Sequence, residues 1–220
     1  MKLLTNQLEF PPLETASADG LLAVGGDLSP ERLLLAYRSG IFPWYGENSP
    51  ILWWSPNPRM VLHPAHVKVS KSMKKVMRSN RFSLTRNQCF DQVVTQCALA
   101  KRPGQEGTWI TPEMKNAYGQ LFTMGHAQSY EVWEKGHLVG GLYGVDLGHV
   151  FCGESMFSTV DNASKFAFIT MARELNTKGY TLIDCQVHTP HLESLGAQLI
   201  PREEFVAILK GKDKGSVQKE

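Results

Sequence analysis

Little in this 220-residue chain would cross-link it, bind a metal or anchor it in a membrane. Its four cysteines, Cys89, Cys97, Cys152 and Cys185, contain no CxxC pair and no regular spacing. Disulfide frameworks and zinc sites both need such spacing, so neither is expected, and a reducing compartment fits. No apolar run approaches the roughly 20 residues that span a bilayer. Residues 1–14 hold Asn6, Gln7, Glu9 and two prolines where a signal peptide needs an unbroken apolar stretch. The expectation is a soluble, cytoplasmic protein with no membrane partner. Nucleophile-elbow, Walker and dinucleotide fingerprints are missing too. With 42% hydrophobic and 20% charged residues the chain is no disordered tail. At this length it buries roughly 70% of its unfolded surface, enough for one large core or two smaller ones.

Acid is also absent from one long stretch. The formal net charge is only +2, yet residues 48–90 contain no Asp or Glu and eight cations: Arg59, Lys68, Lys71, Lys74, Lys75, Arg78, Arg81 and Arg86. The rest of the chain keeps 15 cations against 21 acids, a net of −6. A basic segment on an acidic body is the pattern of a surface that meets a polyanion. Within it, Lys71, Lys74, Lys75 and Arg78 fall at i, i+3, i+4 and i+7 of a helix expected over residues 71–79, with Met73, Val76 and Met77 opposite. One reading is a solvated helix face. The other is a phosphate-contacting stripe, favoured because ordinary solvated faces mix signs.

Before this segment, Ser29 and Pro30 open a helix that closes at Gly40. The surroundings, above all residues 41–60 with three tryptophans among four prolines, read as packed loop, since proline fixes φ and removes a donor. A boundary near residues 57–59 divides a small N-terminal domain (1–58) from a larger one (59–220). In the larger part the pattern predicts a strand at 82–85 and helices at 88–100 and 111–125. A meander of strands follows at 128–133, 137–145 and 149–157. Next come a helix at 163–177, a strand at 180–187, a short helix near 191–195, a strand at 197–200 and a helix at 202–210, with fraying beyond Gly211. The class is α+β with a mostly antiparallel sheet, in the element order of an acetyltransferase-like (GNAT-type) domain. Acetyltransferases of that kind seat coenzyme A on a glycine-rich loop that opens the helix after the meander. The corresponding residues 158–164, STVDNAS, have no glycine and add Asp161, so a coenzyme A donor is disfavoured. Gly140, Gly141 and Gly144 sit inside a strand, where they suggest close backbone approach or a bulge.

Three polar residues stand out within apolar strands. Asp184 and Gln186 flank Cys185, so strict alternation puts both on one face. A carboxylate beside an amide suits a reaction in which an amine loses a proton and a carbonyl is oriented. The same pair could simply close hydrogen bonds at a strand end. Glu154 ends the apolar run VFCGE and is either a solvated turn residue or a buried, paired carboxylate that invites a cation. His63 with His66 and His188 with His191 share an HxxH spacing but lack further ligands, so no metal site is expected. Cys185 beside Asp184 is a poor nucleophile.

Nine runs in order, among them GLLAVGGDLSPERLL, GIFPWY, ILWWSPNPR, HLVGGLYGV, FCGESMFS, LIDCQV and SLGAQLIPR, resemble bacterial leucyl/phenylalanyl-tRNA–protein transferases over nearly the whole chain. The resemblance implies transfer of Leu or Phe, and Met less well, from Leu-tRNA or Phe-tRNA to proteins whose N-terminal residue is Arg or Lys. It implies that the product is marked for proteolysis; an aminoacyl ester is already activated, so neither cofactor nor metal is expected, and a monomer is the default expectation. By motif, Asp184 and Gln186 become a catalytic pair, and Glu154 a site residue that meets the acceptor. Tyr37, Trp44, Trp109 and Tyr118 belong to the aromatic surroundings of the aminoacyl adenosine, and Leu142, Met156 and Ile183 line the side-chain pocket. The other classes considered are an acyl-CoA-type N-acetyltransferase and a non-catalytic RNA-binding module.

Overall fold

A computed structural model describes residues 2–100 and 108–211; the fraying expected beyond Gly211 lies outside them. Four strands, β1 (Lys2–Leu4), β2 (Leu21–Gly25), β3 (Phe42–Pro43) and β4 (Leu52–Trp54), form one sheet in the order β1-β2-β4-β3. Helix α1 (Pro30–Arg38) begins where Ser29 Oγ accepts the Arg32 N–H, the capping that Ser-Pro predicts. The strands correct the expectation of loop around this helix. They are only two to five residues long, and Pro43 sits on the edge strand, where no donor is required. Trp53 is fully buried, its indole N–H donating to the Gly25 carbonyl at 2.8 Å.

The larger sheet contains β5 (Arg59–Leu62), β6 (Ser83–Arg86), β7 (Ala127–Glu134), β8 (His137–Asp146), β9 (Val150–Ser158), β10 (Leu182–Gln186) and β11 (Gln198–Ile200), in the order β11-β5-β10-β9-β8-β7-β6. It is mostly antiparallel, as the element order predicts; β9 and β10 run parallel and are linked by α5 (Ala163–Thr177), the crossover a parallel pair requires. Strand β5 is a second departure from the expected loop: it lies between β11 and β10, and all four of its residues are buried. The remaining helices are α2 (Lys71–Arg78), α3 (Phe90–Leu99), α4 (Pro112–Thr123), α6 (Pro190–Ser194) and α7 (Arg202–Lys210).

Two apolar clusters hold these parts. One joins the small sheet to the large one through Leu22, Leu33, Trp53, Val61, Tyr118, Val145 and Phe205. The other fills the space between the large sheet and α5 with Phe151, Ala167, Phe168, Met171, Leu175 and Ile183. Helix α5 approaches β8 so closely that a Cβ on Gly140 would lie 2.6 Å from that of Ala163. The strand glycines therefore serve close approach, as expected. Among the described residues, no helix is long and apolar enough to cross a membrane.

Candidate active site

Two β-bulges build the site. On β9, Ser155 faces Tyr143 and Gly153 faces Gly144, leaving Glu154 as an extra residue between them. On β10, Asp184 faces Val61 and Gln186 faces Met60, which leaves Cys185 extra, and Gln186 adopts φ +64°. A bulge re-aims the side chains around it. Here the two bulges turn their polar residues toward each other, and Gln186 Nε2 donates to Glu154 Oε1 at 3.0 Å. The bulge on β9 depends on Gly144, since a Cβ there would run into the Cys152 carbonyl and come within 2.7 Å of the Phe151 ring.

Pairing between β9 and β10 stops at Asp184 opposite Cys152, while β9 continues to Ser158. The stretch of β9 that runs on past the end of its pairing with β10 forms one wall of a cavity of about 530 Å³. Leu142, Phe151, Met156, Phe168, Met171 and Ile183 make its apolar depth, and Glu154 and Gln186 lie in the same lining. Trp44, Trp109 and Val187 line it as well, and Trp44 and Val187 are exposed. Of the residues singled out above, Asp184, Gln186, Glu154, Trp44, Trp109, Leu142, Met156 and Ile183 thus share one cavity. Tyr37 and Tyr118 do not line it. They are fully buried behind Glu154, with their hydroxyls 2.7 Å from Oε1 and Oε2 respectively.

Asp184 and Gln186 do not act side by side, as alternation alone suggests. The Asp184 carboxylate is fully buried and gripped by Arg59, whose Nε donates to Oδ1 at 2.8 Å and Nη2 to Oδ2 at 2.7 Å. Oδ1 also accepts the backbone N–H of Gln186 at 2.9 Å. Arg59 lies between the rings of Phe42 and Phe205, 4.7 and 4.8 Å from their centroids, and Nη1 donates to the Gly40 carbonyl. Asp184 is thereby a neutralised anchor for the bulged Gln186 backbone. Sequence reasoning missed Arg59 and counted it among the cations facing a polyanion. The available signal was Asp184 itself, because a buried carboxylate calls for a cation.

Glu154 has no cationic partner among the described residues. Burial raises its pKa, hydrogen bonds from Tyr118, Tyr37 and Gln186 oppose the rise, and the carboxyl is pushed up to about 7. Cys185 points into the apolar cluster, where burial first and Asp184 second push its thiol up, so it is no nucleophile. His188 bonds Glu193, and among the described residues no three His, Cys, Asp or Glu side chains are grouped to hold a metal ion.

The basic stripe lies on α2, where Lys71, Lys74, Lys75 and Arg78 are all exposed while Met73 is buried. None of the four is in an ion pair with a described residue, whereas Arg81 and Arg86 pair with Glu134 and Glu174. The exposed, unpaired charge of the acid-free segment is therefore Lys68 with the α2 stripe.

A profile described as "Leucyl/phenylalanyl-tRNA protein transferase" matches residues 61–210, and one for the N-terminal domain of the same family matches residues 26–57. A leucyl/phenylalanyl-tRNA--protein transferase of Flavobacterium johnsoniae is 57% identical over 96% of this chain and 100% of its own length. One of Flavobacterium psychrophilum is 54% identical, again over 96% and 100%. A solved GCN5-related N-acetyltransferase from Kribbella flavida superposes with a TM-score of 0.38 at 11% identity, covering 74% of this chain and 57% of that one.

Proposed function

The chain belongs to the leucyl/phenylalanyl-tRNA–protein transferase family, and from that premise we propose that it moves Leu or Phe, and Met less well, from aminoacyl-tRNA to the α-amine of proteins beginning with Arg or Lys. The observation that carries this reading is the junction of a deep apolar cavity with the Glu154–Gln186 pair. The apolar part suits an aliphatic or aromatic side chain that is not branched at Cβ. Flexible Met156 and Met171 let it adapt to more than one, while Ile and Val are disfavoured by shape to a modest degree.

An aminoacyl ester is already activated, so attack by an amine needs no covalent enzyme intermediate. Positioning alone can contribute roughly 7–11 kcal/mol to such a step. Gln186, held through its backbone by Asp184 and Arg59, orients the carbonyl or the amine. Glu154 draws the cationic N-terminus of the acceptor. Trp44 and Trp109 receive the terminal adenosine, Tyr37 and Tyr118 support Glu154 from behind, and the α2 stripe contacts tRNA phosphates. The enzyme works as a cytoplasmic monomer whose products are destined for proteolysis.

The acetyltransferase alternative is weakened at the start of α5. The Ser164 N–H, which a phosphate would need, donates to Ser158 Oγ at 3.2 Å, and no glycine opens the loop. Incubation with Phe-tRNA and an Arg-initiated peptide tests the proposal. The expected product is the peptide extended by Phe, with a Glu-initiated peptide inert. Acetylation from acetyl-CoA with no aminoacyl transfer would overturn it, and RNA binding with neither transfer would leave an RNA-binding module.

A further inference from the structure

Tyr37, Tyr118 and Glu154 hold oxygen atoms within hydrogen-bond distance around a closed triangle. Tyr37 OH is 2.7 Å from Oε1, Tyr118 OH is 2.7 Å from Oε2, and the two phenol oxygens are 2.6 Å apart. Each phenol carries one proton. When Glu154 is ionised, both phenol protons point at the carboxylate and none is left for the phenol–phenol edge. One further proton, on Glu154, completes every edge: the carboxyl donates to one phenol, that phenol to the other, and the second phenol back to the carboxyl. The triangle holds a place for one proton, and of its three members only Glu154 lines the cavity.

The groups around Glu154 leave that place open. Tyr37 faces it from α1, Tyr118 from α4 and Gln186 from β10. Asp184 adds a negative charge that Arg59 of β5 matches, and Tyr143 of β8 stands behind Tyr118. Cys152, on the same strand as Glu154, stays a thiol, its pKa raised first by burial and then by Asp184. No cation among the described residues touches the carboxylate.

Resting on the transferase reading above, we propose that this three-oxygen cluster takes the proton that the acceptor's α-ammonium must lose before it attacks. An α-amine titrates near pH 7.7–8.0, so most acceptor arrives protonated and without a lone pair. An N–H bond of the ammonium breaks and an O–H bond forms on Glu154. The freed lone pair forms the C–N bond to the ester carbonyl carbon, and the C–O bond to the ribose breaks. The surplus nitrogen proton passes to the leaving ribose oxygen, and the cluster returns its own to solvent. Glu154 is the catalytic residue here; Tyr37 and Tyr118 are positioning residues. A carboxyl at about 7 is matched to this exchange.

The test is the pH dependence of kcat/KM for transfer to an Arg-initiated peptide, between pH 5.5 and 9, in the full chain, Glu154→Gln and the Tyr37→Phe/Tyr118→Phe double variant. The wild type is expected to level off near pH 7. Glu154→Gln should level only at the amine's own pKa, so that its defect shrinks about tenfold between pH 6 and 9. The double variant should shift the inflection upward, because both hydroxyls donate to the ionised form; if it does not fold, Tyr118→Phe serves the same comparison. A Gln defect that is constant with pH, or an inflection the tyrosines do not move, would overturn the proposal. Absence of transfer by the wild type at every pH would instead defeat the underlying transferase reading.

Discussion

Arg59 and Asp184, 125 positions apart in the chain, grip each other through two hydrogen bonds of 2.8 and 2.7 Å with both side chains removed from water. Removing one member strands the other charge in the interior, which costs about 3–5 kcal/mol. Asp184→Ala should therefore lower stability by about that much, read by urea unfolding, and should lower turnover because the Gln186 backbone loses its anchor. Replacing both members, as Arg59→Met with Asp184→Leu, should recover most of the stability but not the turnover. A marginal stability loss in the single variant would mean the pair is solvated.

Glu154 couples stability to pH. Its folded pKa of about 7 lies above the ordinary 4.5, so between those values the folded state holds a proton that the unfolded state has lost. The associated stability is full below pH 4.5 and is lost as pH rises through 7. Relative to wild type, Glu154→Gln should gain up to about 3 kcal/mol between pH 4.5 and 8. Unfolding both proteins in denaturant across that range checks the sign; a gap that does not change with pH contradicts it.

What the residues reveal without coordinates follows from how local each signal is. Ser29-Pro30 and Thr111-Pro112 marked helix starts because capping needs only neighbours, and both side chains accept the expected N–H. Ala163–Thr177 forms one helix, as its periodicity predicts. Strands β3, β4 and β5 were hidden because two to four residues between prolines carry no readable alternation. The bulges were hidden as well, since a period of two cannot register one extra residue, and they decide where Glu154, Asp184 and Gln186 point. Arg59 escaped because its partner lies far along the chain. Composition placed it with the exposed cations and packing placed it with Asp184.

Gly144 and Gly119 should respond oppositely to alanine. A Cβ at Gly144 collides with the Cys152 backbone beneath the bulge that carries Glu154, so Gly144→Ala should cost at least about 1–3 kcal/mol and impair turnover. Gly119, inside α4, has nothing within 4 Å of its would-be Cβ, so Gly119→Ala should stabilise by about 0.5–1 kcal/mol. Thermal unfolding of the two variants separates them.

The α2 stripe is exposed, so charge reversal there should spare the fold. Lys71→Glu, Lys74→Glu and Lys75→Glu together should weaken tRNA binding and flatten the dependence of log affinity on log salt by about 2–3 in slope. Unchanged affinity and slope would make the stripe a solvated helix face.

The most direct measurement is a crystal structure with a non-hydrolysable phenylalanyl-adenosine bound. The phenyl ring is expected among Leu142, Phe168, Met171 and Ile183, the carbonyl within hydrogen-bond reach of Gln186, and the adenine against Trp44 and Trp109. Binding outside this cavity, or with the phenyl ring away from those four side chains, would contradict the assignment of the site.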